Sequence, residues 1–414
     1  MLHADNAEIV KATAGPVIEN ITQITKVFYP KMFERNPDLL NVFNQANQAI
    51  GEQPIALASS IVAYAHHLLG DSDIDFDHVL SRIANKHVAL AIKPGDYTIV
   101  GRNLMEAIGE VLGDAVTPEV ARAWEEVYWL FAMDLVSAEA KLYQQIDRTP
   151  DSLMQDHRIT RIEDAGGNAR TFTLEPVDGS AIPDYVPGQY VSVIAQLEDD
   201  YRQPRQYTIS SAPGDAALQI TVKKVLGANG TPDGAVSGYL FERSEGDILP
   251  VSAPVGDIEV AKDDHTRPLV MFSAGIGITP MASILDAAAQ GRTNGRELVV
   301  VHADIDADTH PLREQVARTA ADAGATAITY YEKGGDDARE GLVAVDELDL
   351  PDNAEYYLCG SVPFMQHVRS GLLDRGVDAA DISYEIFGPD LWLGGSASSQ
   401  ASPEELVAEE QRLA

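Results

Sequence analysis

Ser273-Ala274-Gly275-Ile276-Gly277-Ile278-Thr279-Pro280 decides how the C-terminal third of the chain is read. It follows the apolar run Leu269 to Phe272, which has the character of a buried strand, and leads into a helix-like stretch, Pro280 to Ala289. Glycines at such a turn let the backbone approach a pyrophosphate, and the helix N-terminus offers free N–H groups and a positive dipole end. A Gly-x-Gly turn alone is common and is weak evidence for a nucleotide. Its surroundings strengthen it. Leu298 to Val301, Ile328 to Tyr331 and Tyr356 to Cys359 are strand-like and Pro311 to Ala323 is helix-like, the alternation of a parallel sheet covered by helices.

Upstream of this third the texture changes. From Asp156 to about Val260 the chain carries short alternating or β-branched runs: Arg170 to Leu174, Gln189 to Ile194 and Leu218 to Val222. Pro187-Gly188 and Pro213-Gly214-Asp215 punctuate them as turns, which predicts an antiparallel barrel or sandwich. Residues 1–147 read as all-helical. Val17, Ile21, Ile24, Phe28 and Met32 recur at one-turn spacing, as do Ile83, His87 and Ala91, and Leu104, Ile108 and Leu112. Thr117-Pro118-Glu119 marks a helix start with proline at the first helical position. Four segments are therefore expected: helical 1–147, barrel 152–260, parallel sheet 266–390, and a tail 391–414 in which Ser402-Pro403-Glu404-Glu405 forms a capping box.

Composition narrows the function. In 414 residues, 64 acidic side chains against 30 basic ones leave a net charge of −34. That field repels phosphate backbones and anionic lipid surfaces, so nucleic-acid and membrane binding are poor fits. Val127 to Val136, the most apolar window, contains Asp134 and is too short to span a bilayer, and Met1 to Asn6 has no secretory character, so a cytoplasmic protein is expected. The single cysteine, Cys359, excludes a disulfide, a thiolate zinc site and a four-cysteine iron–sulfur cluster within the chain.

Three further motifs accompany the glycine-rich loop. Arg205-Gln206-Tyr207-Thr208 joins a cation, an aromatic and a hydroxyl; in an extended strand Arg205 and Tyr207 share one face and Thr208 takes the other. Cys359-Gly360-Ser361-Val362-Pro363 is a second strand–glycine–helix transition, and Glu385-Ile386-Phe387-Gly388-Pro389 ends the last strand pattern. In this order the motifs resemble the ferredoxin–NADP⁺ reductase family over about residues 156–390. The resemblance implies that Arg205 binds a phosphate of FAD, Tyr207 stacks on the isoalloxazine and Gln206 and Thr208 complete the flavin segment. It further implies a flavin contact at Tyr190, a helix start at the pyrophosphate carrying Ser237, and a nicotinamide dinucleotide held by Gly275, Ile276, Gly277, Ile278, Thr279 and Pro280. Phe387, with Ile386, Gly388 and Pro389, would cover the flavin where nicotinamide arrives, with Glu385 close by. Asp304, Asp306 and Asp308 follow the second parallel strand, where the ribose is read; carboxylates there favour a free hydroxyl and repel a 2′-phosphate, so NADH is expected over NADPH.

An isolated histidine on an apolar helix face, such as His87, is more often a core residue than a ligand. Here Tyr29, Phe43, Gln53, Leu57, Lys86-His87, Ile92-Lys93-Pro94, Tyr97 and Ala138-Glu139-Ala140 stand in the order and spacing of the bacterial flavohaemoglobins. The chain resembles that family, the nitric oxide dioxygenases, over residues 1 to about 390. The resemblance implies one haem b with His87 as the proximal iron ligand, and Tyr97 and Glu139 bonded to its other ring nitrogen. It places Tyr29 and Gln53 over the oxygen site, Leu57 as a steric wall, and Lys86 as an influence on redox balance. NADH or NADPH would reduce FAD, and FAD would reduce haem, so that NO and O₂ leave as nitrate. A haem-based O₂ or NO binder or sensor with an attached reductase is the alternative. A monomer is expected. Pro30 departs from the pattern: it removes the helix bond to the Lys26 carbonyl and predicts a kinked turn at Tyr29.

Overall fold

The computed structural model describes residues 2–43, 52–70, 76–197, 201–214, 216–227, 232–258, 265–335 and 337–387. The chain divides into two compact units. One holds Met1–Leu153 with Asp200–Pro204; the other holds Met154–Asp199 and Arg205–Phe387.

Within residues 2–153 of the first unit the described regular structure is all helical: α1 Ala4–Glu19, α2 Ile21–Arg35, α3 Glu52–Leu69, α4 Phe76–Ala89, α5 Asp96–Leu112 and α6 Pro118–Gln145. Thr117 caps α6 by accepting the Val120 N–H, and Pro118 takes the first helical position, as its missing donor allows. Phe28, Met32, Trp124 and Phe131 meet in one apolar core with Leu104 and Ile108. Two expectations are corrected, and the helix that carries Pro30 is continuous. The stripe from Val17 to Met32 is broken at Asn20, so Val17 lies on α1 and the rest on α2. α2 runs through Pro30 to Arg35 without stopping, because the buried faces of Phe28, Tyr29 and Met32 hold the turn that the lost hydrogen bond would loosen. α4 ends at Ala89, and Ala91 turns left-handed with φ 57°, so that the Ile92 N–H returns to the His87 carbonyl at 3.1 Å.

The second unit is built on two six-stranded sheets, of which one strand, Arg202–Thr208, begins in the Asp200–Pro204 segment grouped with the first unit. β1 Met154–Gly166, β2 Ala169–Pro176, β3 Tyr190–Gln196, β4 Arg202–Thr208, β5 Leu218–Lys223 and β6 Ile248–Ser252 lie in the order β4-β3-β6-β1-β2-β5. Register shifts between Ile159 and Arg161 and between Asp164 and Gly166 bend the long β1, and a bridge from Ile209 to Ile220 joins the two outer strands into a barrel. The short helix α7, Ala235–Phe241, follows β5.

In the second sheet β7 Leu269–Ala274 is followed by α8 Thr279–Ala289, β8 Leu298–Asp304, α9 Arg313–Asp322, β9 Thr326–Tyr331, β10 Arg339–Glu340, β11 Glu355–Cys359, α10 Val362–Asp374 and β12 Ile382–Glu385. The order β10-β9-β8-β7-β11-β12 is parallel throughout, and β7 is buried on both faces. The chain leaves β7 toward β8 and returns on its other side at β11. That reversal opens a crevice at the strand C-termini, the usual place for a ligand in such sheets. Barrel and parallel sheet are bonded: Ser283 Oγ donates to the Ser211 carbonyl at 2.7 Å, and Asp286 accepts the Ala212 N–H at 2.8 Å.

Candidate functional site

In the helical unit His87 occupies the last turn of α4, and its Nδ1 lies 2.8 Å from both the Glu139 carboxylate and the Tyr97 hydroxyl. Tyr97, in the first turn of α5, also donates to Glu139, which lies buried on α6 with 3% of its side chain exposed. Tyr128 fixes this turn by donating to the Tyr97 carbonyl. Burial and the adjoining carboxylate push the Tyr97 phenol far above its ordinary range, so it stays a donor. An Nδ1–H donated to Glu139 would leave Nε2 free for a metal, the arrangement in which an outer carboxylate orients a metal-binding imidazole. This donor set fits a haem ligand.

Tyr29 is buried, with its ring against Phe28, Phe33 and Phe43 at centroid separations of 4.6, 5.8 and 5.8 Å. Leu57 on α3 packs partly buried against the same core. Gln53 begins the same helix, and its side chain lies outside the described part of the structure. Lys86 adjoins His87, half-buried.

The barrel's candidates lie on β3 and β4. Burial raises the Tyr207 phenol while the Arg205 guanidinium, two residues away on the same strand, pulls the other way. Thr208 is buried at the strand end, and Gln206 points outward. The next residue, Ile209, donates its N–H to the Gln189 carbonyl, tying this strand to the Pro187-Gly188-Gln189 turn. Gly188 has φ +91°, and a Cβ there would come within 2.5 Å of Ile258 and 3.3 Å of Pro280, so only glycine lets this turn meet the start of α8. Tyr190 packs over Gly256, again at a distance a side chain would close. Ser192, two residues along and on the same strand face, is fully buried, and its hydroxyl has no partner among the described residues. An orphaned hydroxyl beside Tyr190 fits a bound polar ring system such as a flavin. Ser237 is used differently: its hydroxyl accepts the Val225 N–H and donates to the Gly234 carbonyl, so it secures the start of α7.

At the crevice, Gly275 takes φ +53° and Gly275–Ile278 forms one 3₁₀ turn that runs into α8 at Thr279, one residue before the expected start. A Cβ on Gly277 would sit 2.3 Å from the Cys359 carbonyl, so the two strand–glycine–helix transitions are pressed backbone to backbone. Cys359 is fully buried, and burial pushes its thiol well up. It pairs in register with Ser273 on one side and Glu385 on the other. Ile386 is buried, Phe387 is half exposed, and Gly388 and Pro389 lie outside the described residues.

The acidic triplet after β8 is not three outward carboxylates. Asp304 turns inward: its carboxylate is 5% exposed and 3.6 Å from His302 Nε2. His302 hydrogen-bonds to Ser273 at 2.9 Å and stacks on His310 at 3.9 Å, and His310 bonds to the Tyr331 hydroxyl. A cavity of about 250 Å³ lined by His302, His310, Arg313 and Tyr331 adjoins this stack. Sequence reading missed the network. The signal available was polar spacing: Ser273, His302 and Asp304 interrupt otherwise apolar strand ends.

Residues 26–135 match the globin family, 156–260 the oxidoreductase FAD-binding domain and 271–370 the oxidoreductase NAD-binding domain. The flavohemoprotein of Bordetella pertussis is 40% identical over 405 residues, covering 94% of this chain and 99% of that protein. That of Halalkalibacterium halodurans is 38% identical over 413 residues, covering 95% and 99%. The flavohemoglobin of Malassezia yamatoensis, solved with FAD and haem bound, superposes with a TM-score of 0.85 at 33% identity, covering 94% of this chain and all of that one. The FAD/NAD-binding domain of a nitric oxide dioxygenase from Vibrio cholerae covers 57% of this chain and all of its own, with a TM-score of 0.53 and 35% identity.

Proposed function

Because the chain belongs to the flavohemoprotein family, we propose that it is a nitric oxide dioxygenase, consuming NO and O₂ with electrons from NAD(P)H and releasing nitrate. The working parts are a globin domain at 1–147, an FAD domain at 152–260 and a nucleotide domain at 266–390, with the tail 391–414 outside the chemistry. When bound, NAD(P)H supplies hydride, FAD converts it to single electrons, and haem supplies the iron centre for O₂ and NO.

The chain's own residues do the rest. His87 holds iron through Nε2, and Glu139 draws on the Nδ1 proton, which makes the imidazole a stronger donor and favours higher iron oxidation states. Tyr97 keeps the carboxylate and imidazole aligned. Tyr29 offers a hydroxyl to the oxygen side of the pocket, with Gln53 beside it and Leu57 as the wall; Lys86 adds a positive charge next to the ligand. In the reductase half, Arg205 neutralises an FAD phosphate and Tyr207 flanks the ring, with Gln206, Thr208 and Tyr190 completing its seat. Ser237 steadies the α7 turn near the pyrophosphate. Gly275 to Pro280 receive the dinucleotide on backbone N–H groups, and Glu385 to Pro389 border the nicotinamide approach. NADH is the preferred donor.

The observation that carries this reading is Glu139 buried against His87 and Tyr97. An electron push of that kind suits oxygen chemistry better than oxygen carriage. The test is NO consumption driven by NADH with nitrate formed mole for mole. His87→Ala should lose haem while NADH still bleaches the flavin absorbance. Tight O₂ binding with negligible NO turnover would instead establish the binder.

A further inference from the structure

The ribose loop after β8 has a feature that an acidic triplet does not predict. Asp306 faces a lysine. Lys333 Nζ lies 2.8 Å from Asp306 Oδ2, and the lysine side chain is 67% exposed. Strand pairing brings the two loops together: Asp304 is in register with Tyr331, the Glu332 N–H donates to the Asp304 carbonyl, and the Lys333 N–H donates to the Ile305 carbonyl. The same loop lies beside the glycine-rich turn, because Ala303 pairs with Ala274. A dinucleotide whose pyrophosphate rests at Gly275 to Thr279 extends its adenosine ribose toward the end of β8. Of the three aspartates, Asp304 is turned away toward His302, so Asp306, Asp308 and Lys333 are left to meet the ribose.

We propose that the Asp306–Lys333 ion pair is the nucleotide selector: Asp306 holds the lysine that would otherwise bind the 2′-phosphate of NADPH. This rests on the dinucleotide reading above and deepens it. A lysine is a compact, mobile point charge and a ready phosphate binder. Its attraction for a dianionic phosphate is large only when no carboxylate already satisfies it. In the folded loop one carboxylate does so, and Asp308 adds a second negative charge nearby. NADPH is thus excluded by a masked cation as well as by repulsion. Asp306 also has a structural task. Its Oδ1 accepts the N–H groups of Asp308 and Thr309 at 3.2 and 3.1 Å, which shapes the turn. Asn keeps that acceptor and removes the charge, so Asp306→Asn separates selection from folding.

The experiment uses the full-length holoprotein, with two readouts. Calorimetric binding compares adenosine 2′,5′-bisphosphate with 5′-AMP, and stopped-flow flavin reduction compares NADPH with NADH. Asp306→Asn should raise the bisphosphate-to-AMP affinity ratio and the NADPH-to-NADH ratio of kcat/KM about tenfold each. Adding Lys333→Met should return both ratios to the wild-type value. Unchanged ratios in Asp306→Asn would overturn the inference, and so would a gain that survives Lys333→Met, since charge removal alone would then suffice. Wild-type flavin that neither nucleotide reduces would overturn the dinucleotide reading itself. Intact reduction with unchanged ratios sinks only the selector.

Discussion

Single residues carry the sharpest chemistry and also the clearest cost. His310 is buried among Tyr331, His302 and Arg313, and burial, with the neighbouring His302, pushes its imidazole down to about 2. The unfolded chain binds a proton near pH 6.5 that the native site refuses. Stability tied to neutral His310 is therefore full above pH 6.5 and drains as pH falls toward 2, by up to about 1.4 kcal/mol per unit. His310→Gln keeps a partner for Tyr331 and has no proton to take up. Its calorimetric midpoint should fall less than wild type between pH 7 and 5, and parallel falls would mean that His310 titrates normally. No periodicity argument finds such a residue, because ring stacking and burial arise from strands brought together in the fold. The contact of His87, Tyr97 and Glu139 was legible for the opposite reason. His87, Tyr97 and Glu139 stand at spacings set by consecutive helices, and a resemblance reads spacing well.

At the scale of elements, types were readable and ends were not. The parallel sheet followed from alternating strands and helices, whereas α4 stopping at Ala89 depended on a left-handed alanine that no helix propensity announces. α2 running through Pro30 depended on tertiary burial outweighing a local penalty. The glycine-rich turn shows why its motif works. Gly275 supplies a left-handed backbone, but Gly277 is needed for contact: the first atom of any side chain would strike the Cys359 carbonyl and the Gly360 amide. Gly277→Ala must push apart two loops that are both backbone, which places it among overpacking changes of about 1–3 kcal/mol. Haem content and the flavin spectrum should be retained while KM for NADH rises several-fold. An unchanged KM with normal flavin reduction would show that the loops can separate without disturbing the dinucleotide.

For the whole molecule the charge of −34 sets the terms on which substrates arrive. NO and O₂ are neutral and indifferent to it. NADH is an anion that meets repulsion at long range and, on the proposed reading, finds favourable groups at short range, at the α8 N-terminus among them. Salt distinguishes these two ranges. The screening length is about 30 Å at 0.01 M and about 8 Å at 0.15 M, so added salt removes distant repulsion while contacts inside the crevice persist. If repulsion governs encounter, the second-order rate of flavin reduction by NADH should rise several-fold between those ionic strengths. The rate of NO consumption under saturating NADH should stay level. A fall in the NADH rate with salt would mean that local attraction dominates, with Lys333 and the helix end steering the nucleotide from farther out than the net charge allows. Asp306→Asn, by unmasking Lys333, should then steepen that fall for NADPH more than for NADH, because the extra phosphate carries the charge that the lysine attracts.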